Sequence, residues 1–214
     1  MSGYFPSTQV LKEPEIQSII DLKEFKTKEH EFARDVWVTL YRCNGANFAD
    51  LLRMKWSQID GDYILFTRKK TENSRKNNKK PIVVPYTEKL KDSLTRVGDK
   101  NSPFLLGLLN EGYDECFFKN RNHKIKQQIN RNLKDIKEKL NLSRPLRLGT
   151  ARDCYSSTLR RNKVSIDDIS QMLGHSNVVV TEHYLDGLDS ESTFGINETM
   201  SRPEIACHNK NYSG

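Results

Sequence analysis

The sequence predicts a mainly helical fold carrying one small β-hairpin. Apolar residues recur at helical spacing from Ile16 to Leu173, the pattern of helices with one buried stripe. Only two short runs have strand character, Tyr63-Ile64-Leu65-Phe66-Thr67 and Pro81-Ile82-Val83-Val84-Pro85. They flank a polar, basic segment, so they pair as a hairpin with a long loop. No internal repeat is visible.

Taken in order, a Pro- and Ser-containing lead-in precedes a first short helix from Ile16 to about Leu22. A second helix spans about Glu29 to Cys43, with Phe32, Val36, Leu40 and Cys43 on one stripe. Asn44-Gly45 interrupts it. Asn47 then caps a helix through Lys55, with Asp50 at the third helical position and Phe48, Leu51 and Leu52 inward. After the hairpin, Thr87 caps a helix from Glu88 to about Val97. The Gly- and Pro-punctuated stretch 101–115 carries no clear pattern. From Asn122 to Leu140, Ile125, Ile129, Leu133, Ile136 and Leu140 repeat at helical spacing, with basic residues on the other faces. Ala151, Cys154, Tyr155, Thr158 and Leu159 form the core face of the next helix, so Tyr155 is expected in the core. Ser165 caps a helix through Leu173 with Ile166, Ile169, Met172 and Leu173 buried, and Gly174 stops it. A last helix carries Val179 to Leu185.

Composition restricts the function. The 214 residues suffice for one substantial domain, and a hydrophobic content of 36% permits a core under a very polar surface. The net charge of +7 suits a polyanionic partner. That charge is concentrated: Arg68 to Lys80 holds seven Lys/Arg against Glu72, and Lys119 to Lys139 holds eight against Asp135 and Glu138. Arg144 to Lys163 holds six against Asp153, whereas Glu182 to Glu204 holds six acids and only Arg202. The tail is therefore not the surface expected to face a polyanion. Cys43, Cys116, Cys154 and Cys207 are widely spaced with no C-x-x-C pair, which argues against a zinc site or a disulfide framework. No signal peptide is evident, and no stretch approaches the roughly 18–20 apolar residues of a membrane span. A cytoplasmic location is expected.

The C-terminal third carries the chemistry. Leu173-Gly174-His175-Ser176 is followed by Tyr184, nine residues after the histidine, and Arg152 lies upstream within a helical pattern. This order resembles the signature of the tyrosine recombinases, the phage integrase family, which cut and rejoin DNA through a phosphotyrosine. The resemblance extends over the hairpin and over Gly45-Ala46-Asn47-Phe48-Ala49-Asp50-Leu51-Leu52 with Lys55-Trp56-Ser57-Gln58-Ile59-Asp60. It implies that family's catalytic-domain fold over 14–188, with 1–13 as lead-in and 189–214 as a partner-docking or disordered tail. The style of the Asn-Gly-Ala-Asn-Phe-Ala-Asp stretch is similar to integrases of mobile elements in Bacteroides-like bacteria. Relatives carry an N-terminal core-binding domain for which this chain has no room, so a catalytic-domain fragment or a truncated gene is expected.

What the resemblance implies about residues follows the needs of the reaction. Tyr184 is the nucleophile. Arg152 and His175 contact the scissile phosphate, whose transition state gains charge that a guanidinium fork stabilises. Lys70, in Arg68-Lys69-Lys70-Thr71, matches the hairpin lysine that protonates the leaving 5′-oxygen. Arg68, Lys69, Lys76 and Arg147 contact DNA. Neither metal nor other cofactor is required, because the covalent link conserves the phosphodiester energy. Two positions depart from the family pattern. Asn47 stands where the first arginine belongs, with Arg42 or Arg53 as possible substitutes, and Gly149 stands where a histidine often precedes Arg152. A catalytically degenerate DNA-binding protein and a type IB topoisomerase-like enzyme therefore remain alternatives. The expected partner is double-stranded DNA at attachment sites, with the chain a monomer alone and a tetramer on synapsed DNA.

Overall fold

The computed structural model describes residues 10–67 and 81–174. Helices α1 (Glu13–Asp21), α2 (Lys28–Arg42) and α3 (Phe48–Arg53) come first, followed by a 3-10 turn at Trp56–Gln58. Strands β1 (Ile59–Asp60), β2 (Tyr63–Phe66) and β3 (Ile82–Pro85) then form one antiparallel sheet in the order β1-β2-β3. Helices α4 (Glu88–Val97), α5 (Glu115–Lys139), α6 (Thr150–Arg161) and α7 (Ile166–Met172) complete the described chain.

Helix α2 is the centre of the fold. It packs on α4, α5 and α6, and every residue from Ala33 to Tyr41 is buried. A single apolar stripe was expected there; the helix is instead enclosed on all sides, as a helix surrounded by others must be. Its buried polar side chains have partners, although Arg34 Nε makes no hydrogen bond and only an ion contact with Asp35 at 3.0 Å. Arg34 Nη1 donates to the Ile20 carbonyl at 2.8 Å, and Asp35 accepts from Arg96 Nε at 3.1 Å. The Trp37 indole N–H donates to the Arg147 carbonyl at 3.2 Å and to Thr150 Oγ1 at 3.1 Å, fixing where α6 begins. Trp37 stacks on Tyr41 with ring centroids 5.8 Å apart, and Tyr41 meets Tyr155 edge-on at 6.0 Å.

Local signals act where side chains can reach orphan helix N–H groups. Asn47 accepts from the Ala49 amide, Thr87 from Leu90 and Ser165 from Asp168. Ala151, Cys154, Tyr155, Thr158 and Leu159 are all buried on α6.

Four expectations need correction. The hairpin gains a third, two-residue strand, β1, with Ile59 opposite Ile64. Helix α3 ends at Arg53 rather than Lys55. Helix α5 starts at Glu115, seven residues before Asn122, because Asp114 caps it by accepting from the Phe117 amide at 2.6 Å. Ile166, at the first position of α7, is 71% exposed, whereas Ile169, Met172 and Leu173 turn inward. The unassigned stretch before α5 is threaded through the core. Leu105, Leu106 and Leu109 are buried, and the Leu105 amide donates to the Met54 carbonyl at 2.7 Å.

Candidate active site

The turn between α2 and α3 is the foundation of the site. Asn44 and Gly45 are both left-handed, at φ 50° and 59°. Asparagine tolerates that region, and glycine enters it without a Cβ penalty. At Gly45 a Cβ would also fall 3.0 Å from the Arg152 Cα and 3.2 Å from the Tyr155 Cβ, so the turn is pressed against the α6 backbone. A glycine is required here by conformation and by contact together.

That close approach places Arg152. Its Nη1 donates to the Gly45 carbonyl at 3.0 Å, and its Nη2 donates to the Leu173 carbonyl. One guanidinium thus joins α6 to the α2–α3 turn and to the end of α7. The planar fork permits this, as one side chain presents two donor edges to separate acceptors.

Around Arg152 lies a crevice of about 10 Å³, room for about one water. Asn44, Ala46 and Asn47 of the turn line it, with Asp50 of α3. Phe66 and Ile82 close another side, and Met172 and Leu173 supply the α7 wall. Phe66 and Ile82 are register partners at the end of the β2–β3 pair that the connecting segment joins. The chain leaves them directly for the Arg68–Lys80 segment. Likewise Gly174, at φ 63°, turns the chain off α7 immediately before His175.

The structure therefore brings together Asn47 and Arg152 and adds Asp50 and Asn44 to them. Asn47, which is exposed, spends its side-chain oxygen on the α3 cap, accepting from the Ala49 amide at 3.1 Å. Arg42 is not among the crevice residues. Its Nη1 donates to the Lys89 carbonyl and to Ser93 Oγ, both at 2.8 Å, and burial lowers its pKa. Arg53 is drawn to α5, with Nη2 2.8 Å from Glu115 and the guanidinium 3.3 Å above the Phe118 ring. Neither takes the place of an arginine at position 47. Arg147 has an exposed side chain on the segment leading into α6, while its carbonyl is held by Trp37 and Thr150. Lys70, Arg68, Lys69, Lys76, His175 and Tyr184 lie outside the described residues.

Gly149 is different in kind from Gly45. Its φ is −65° and ψ −29°, and nothing lies within 4 Å of a Cβ built on it. No steric or conformational demand selects glycine there. Cys43 also borders the crevice, but burial pushes its thiol up to about 12, so the sulfur stays protonated. Among the described residues no group of His, Cys, Asp and Glu is placed to hold a metal ion. Among the same residues no helix is long and apolar enough to cross a membrane.

Sequence reasoning missed Asn44, which it treated as punctuation. It is 2% exposed and hydrogen-bonded on both sides. The available signal was the Asn-Gly pair itself, in which both residues accept positive φ.

Among solved structures, the chain is similar to the XerA recombinase, at 19% identity and a TM-score of 0.51, covering 92% of this chain and 66% of that one. It is also similar to the lambda integrase bound to DNA, at 16% identity and a TM-score of 0.52, covering 86% of this chain and 62% of the other. At such identities the likeness is one of fold, and the chain spans just under two thirds of each of these proteins' length. No curated protein matches it. The model of the phage integrase family matches residues 9–191, well over half of the 214, across the turn, the hairpin, α6 and the Gly174-His175 junction, and the chain belongs to that family.

Proposed function

We propose that the protein performs site-specific DNA recombination, cutting and rejoining strands through a 3′-phosphotyrosine on behalf of a mobile element. The catalytic unit is 14–188, working in the cytoplasm as a monomer alone and a tetramer on synapsed DNA, with 189–214 docking on a neighbouring protomer. Tyr184 Oη attacks the scissile phosphorus and its phenolic proton passes to water. The bond from phosphorus to the 5′-oxygen breaks, and that oxygen takes a proton from the Lys70 ammonium. Arg152 and His175 stabilise the charge that builds on the non-bridging oxygens. Rejoining reverses these steps when a 5′-hydroxyl attacks the phosphotyrosine and frees Tyr184. Arg68, Lys69, Lys76 and Arg147 hold the duplex by its phosphates, so affinity falls steeply with salt.

One observation carries this reading. The crevice around Arg152 is walled by the family's first-arginine segment, by the strand ends that lead to Lys70, and by the end of α7 that leads to His175. Segments more than a hundred residues apart converge on Arg152, and a phosphate would lie at the mouth of this crevice, which itself holds no more than about one water.

A second reading, a DNA-binding relative without cleavage activity, is favoured by Asn47, which serves as a helix cap, and by Gly149, which has no side chain to offer. A nicked suicide substrate carrying the element's attachment site decides between them. The proposal expects a denaturant-resistant protein–DNA band, lost in Tyr184→Phe, which binds the same DNA with unchanged affinity. DNA binding without any band in the unaltered protein selects the second reading. A band that persists in Tyr184→Phe removes Tyr184 as nucleophile.

A further inference from the structure

Two parts of the site belong to different bodies of the fold. Arg152 rides on α6, whereas Lys70 is carried by the loop of the β2–β3 hairpin. Helix α7 packs on β3, and a second connection runs from β3 to α6 itself.

Asn44 makes that connection. Its side chain is buried between the two bodies and contacts both. Its Oδ1 accepts from the Tyr155 hydroxyl at 3.0 Å, on α6 one helical turn beyond Arg152. Its Nδ2 donates to the Val83 carbonyl at 3.4 Å, in the middle of β3. Tyr155 is 1% exposed, so the bond to it is shielded from water. The backbone holds the side chain in place, with Asn44 left-handed and Gly45 pinned against α6 behind it. An amide has a donor end and an acceptor end, and here each end reaches a different body. A carboxylate offers no donor for Val83, and an aliphatic side chain bonds neither.

We propose that Asn44 is a positioning residue that latches the β2–β3 hairpin to the Arg152 helix, so that the lysine of the hairpin loop and the arginine of α6 converge on the same phosphate. It acts through Val83 and Tyr155. The inference rests on the proposed cleavage reaction for its consequence, but the latch itself is a property of the fold and is testable without that reaction.

Asn44→Gly is the informative variant, since glycine keeps the left-handed turn while removing both hydrogen bonds. Tyr155→Phe removes the α6 end alone. Hydrogen–deuterium exchange of the 81–85 segment tests the latch directly. Exchange is expected to speed up in Asn44→Gly, relative to Arg96→Met as a variant weakened at the contact of α4 with Asp35 of α2. Unchanged exchange overturns the proposal, whatever the activity.

Cleavage tests the consequence. With an ordinary nicked substrate, adduct formation by Asn44→Gly should slow by about 10–100-fold, the effect of misplacing a catalytic group by about 1 Å. With a substrate whose bridging 5′-oxygen is replaced by sulfur, most of that deficit should vanish. A thiolate leaves without a proton, its conjugate acid having a pKa of ~8.5, so the lysine is no longer needed. Equal slowing on both substrates would mean that Asn44 does not position the hairpin, and overturns this part. Absence of adduct from the unaltered protein on either substrate defeats the cleavage reading instead, leaving exchange to decide the latch.

Discussion

The two sides of α2 are built in opposite ways. Toward α4 the contacts are charged. Asp35, its side chain 4% exposed, lies 3.0 Å from Arg34 Nε and 3.1 Å from Arg96 Nε. Arg96 reaches on to Asp92 at 2.6 Å, and Arg42 bonds the α4 backbone. Burial raises the Asp35 pKa and lowers that of Arg34, each partly offset by its oppositely charged neighbours. Toward α6 the contacts are neutral: Trp37 to Thr150, Tyr41 to Thr158 at 3.2 Å, and Asn44 to Tyr155. A charged clamp tolerates some sliding, because Coulomb attraction falls off slowly with distance. Neutral hydrogen bonds between aromatic and hydroxyl groups demand one geometry. The side that requires a fixed register is the one that carries Arg152.

The largest effect should come from Arg152→Lys. The charge remains but the fork that reaches Gly45 and Leu173 is lost. Covalent adduct formation should fall by about 10²–10³-fold, the scale for removing one transition-state donor. An adduct rate within threefold of the unaltered protein would break the claim that this side of α2 serves the reaction. Gly45→Ala comes next, combining left-handed strain of about 1–2 kcal/mol with overpacking of about 1–3 kcal/mol against α6. Both stability in urea and adduct rate should drop, and a normal rate in a folded protein would show that register is not critical.

On the α4 side, Arg96→Met should cost about 1–3 kcal/mol by removing one partner of a buried carboxylate. The adduct rate, measured below the melting transition, should stay unchanged; a large loss would erase the contrast between the two sides. The smallest effect on the fold is expected for Gly149→His. The site is open and its backbone ordinary, so stability should stay within about 0.5 kcal/mol. The gain in adduct rate then measures what the missing imidazole is worth, and a drop in melting temperature of several degrees would contradict the open geometry.

The legible parts of the chain were those governed by neighbours in sequence. Asn47, Thr87 and Ser165 were readable as caps because a cap bonds an amide two or three residues away. The α6 stripe was readable because helical period alone puts its five positions on one face. Strand β1 was not, since two residues carry no alternation and exist as a strand only because β2 lies beside them. Ile166 misled because a place on the apolar stripe does not say whether another element packs over it. In the site, Arg152 stood out by spacing and resemblance, whereas the commitment of Arg42 to α4 was invisible without that helix in place.

By itself the sequence determined the helical class, the order of the motifs, the hairpin with its basic loop and the family, because period, capping chemistry and motif spacing are local properties of a chain. Tertiary structure alone decided that Gly45 must be glycine, that Asn44 is a buried bridge and that three distant segments wall one crevice around Arg152. Those facts depend on contacts between residues about 40 to 130 positions apart, which arise only when helices pack and backbones approach closely.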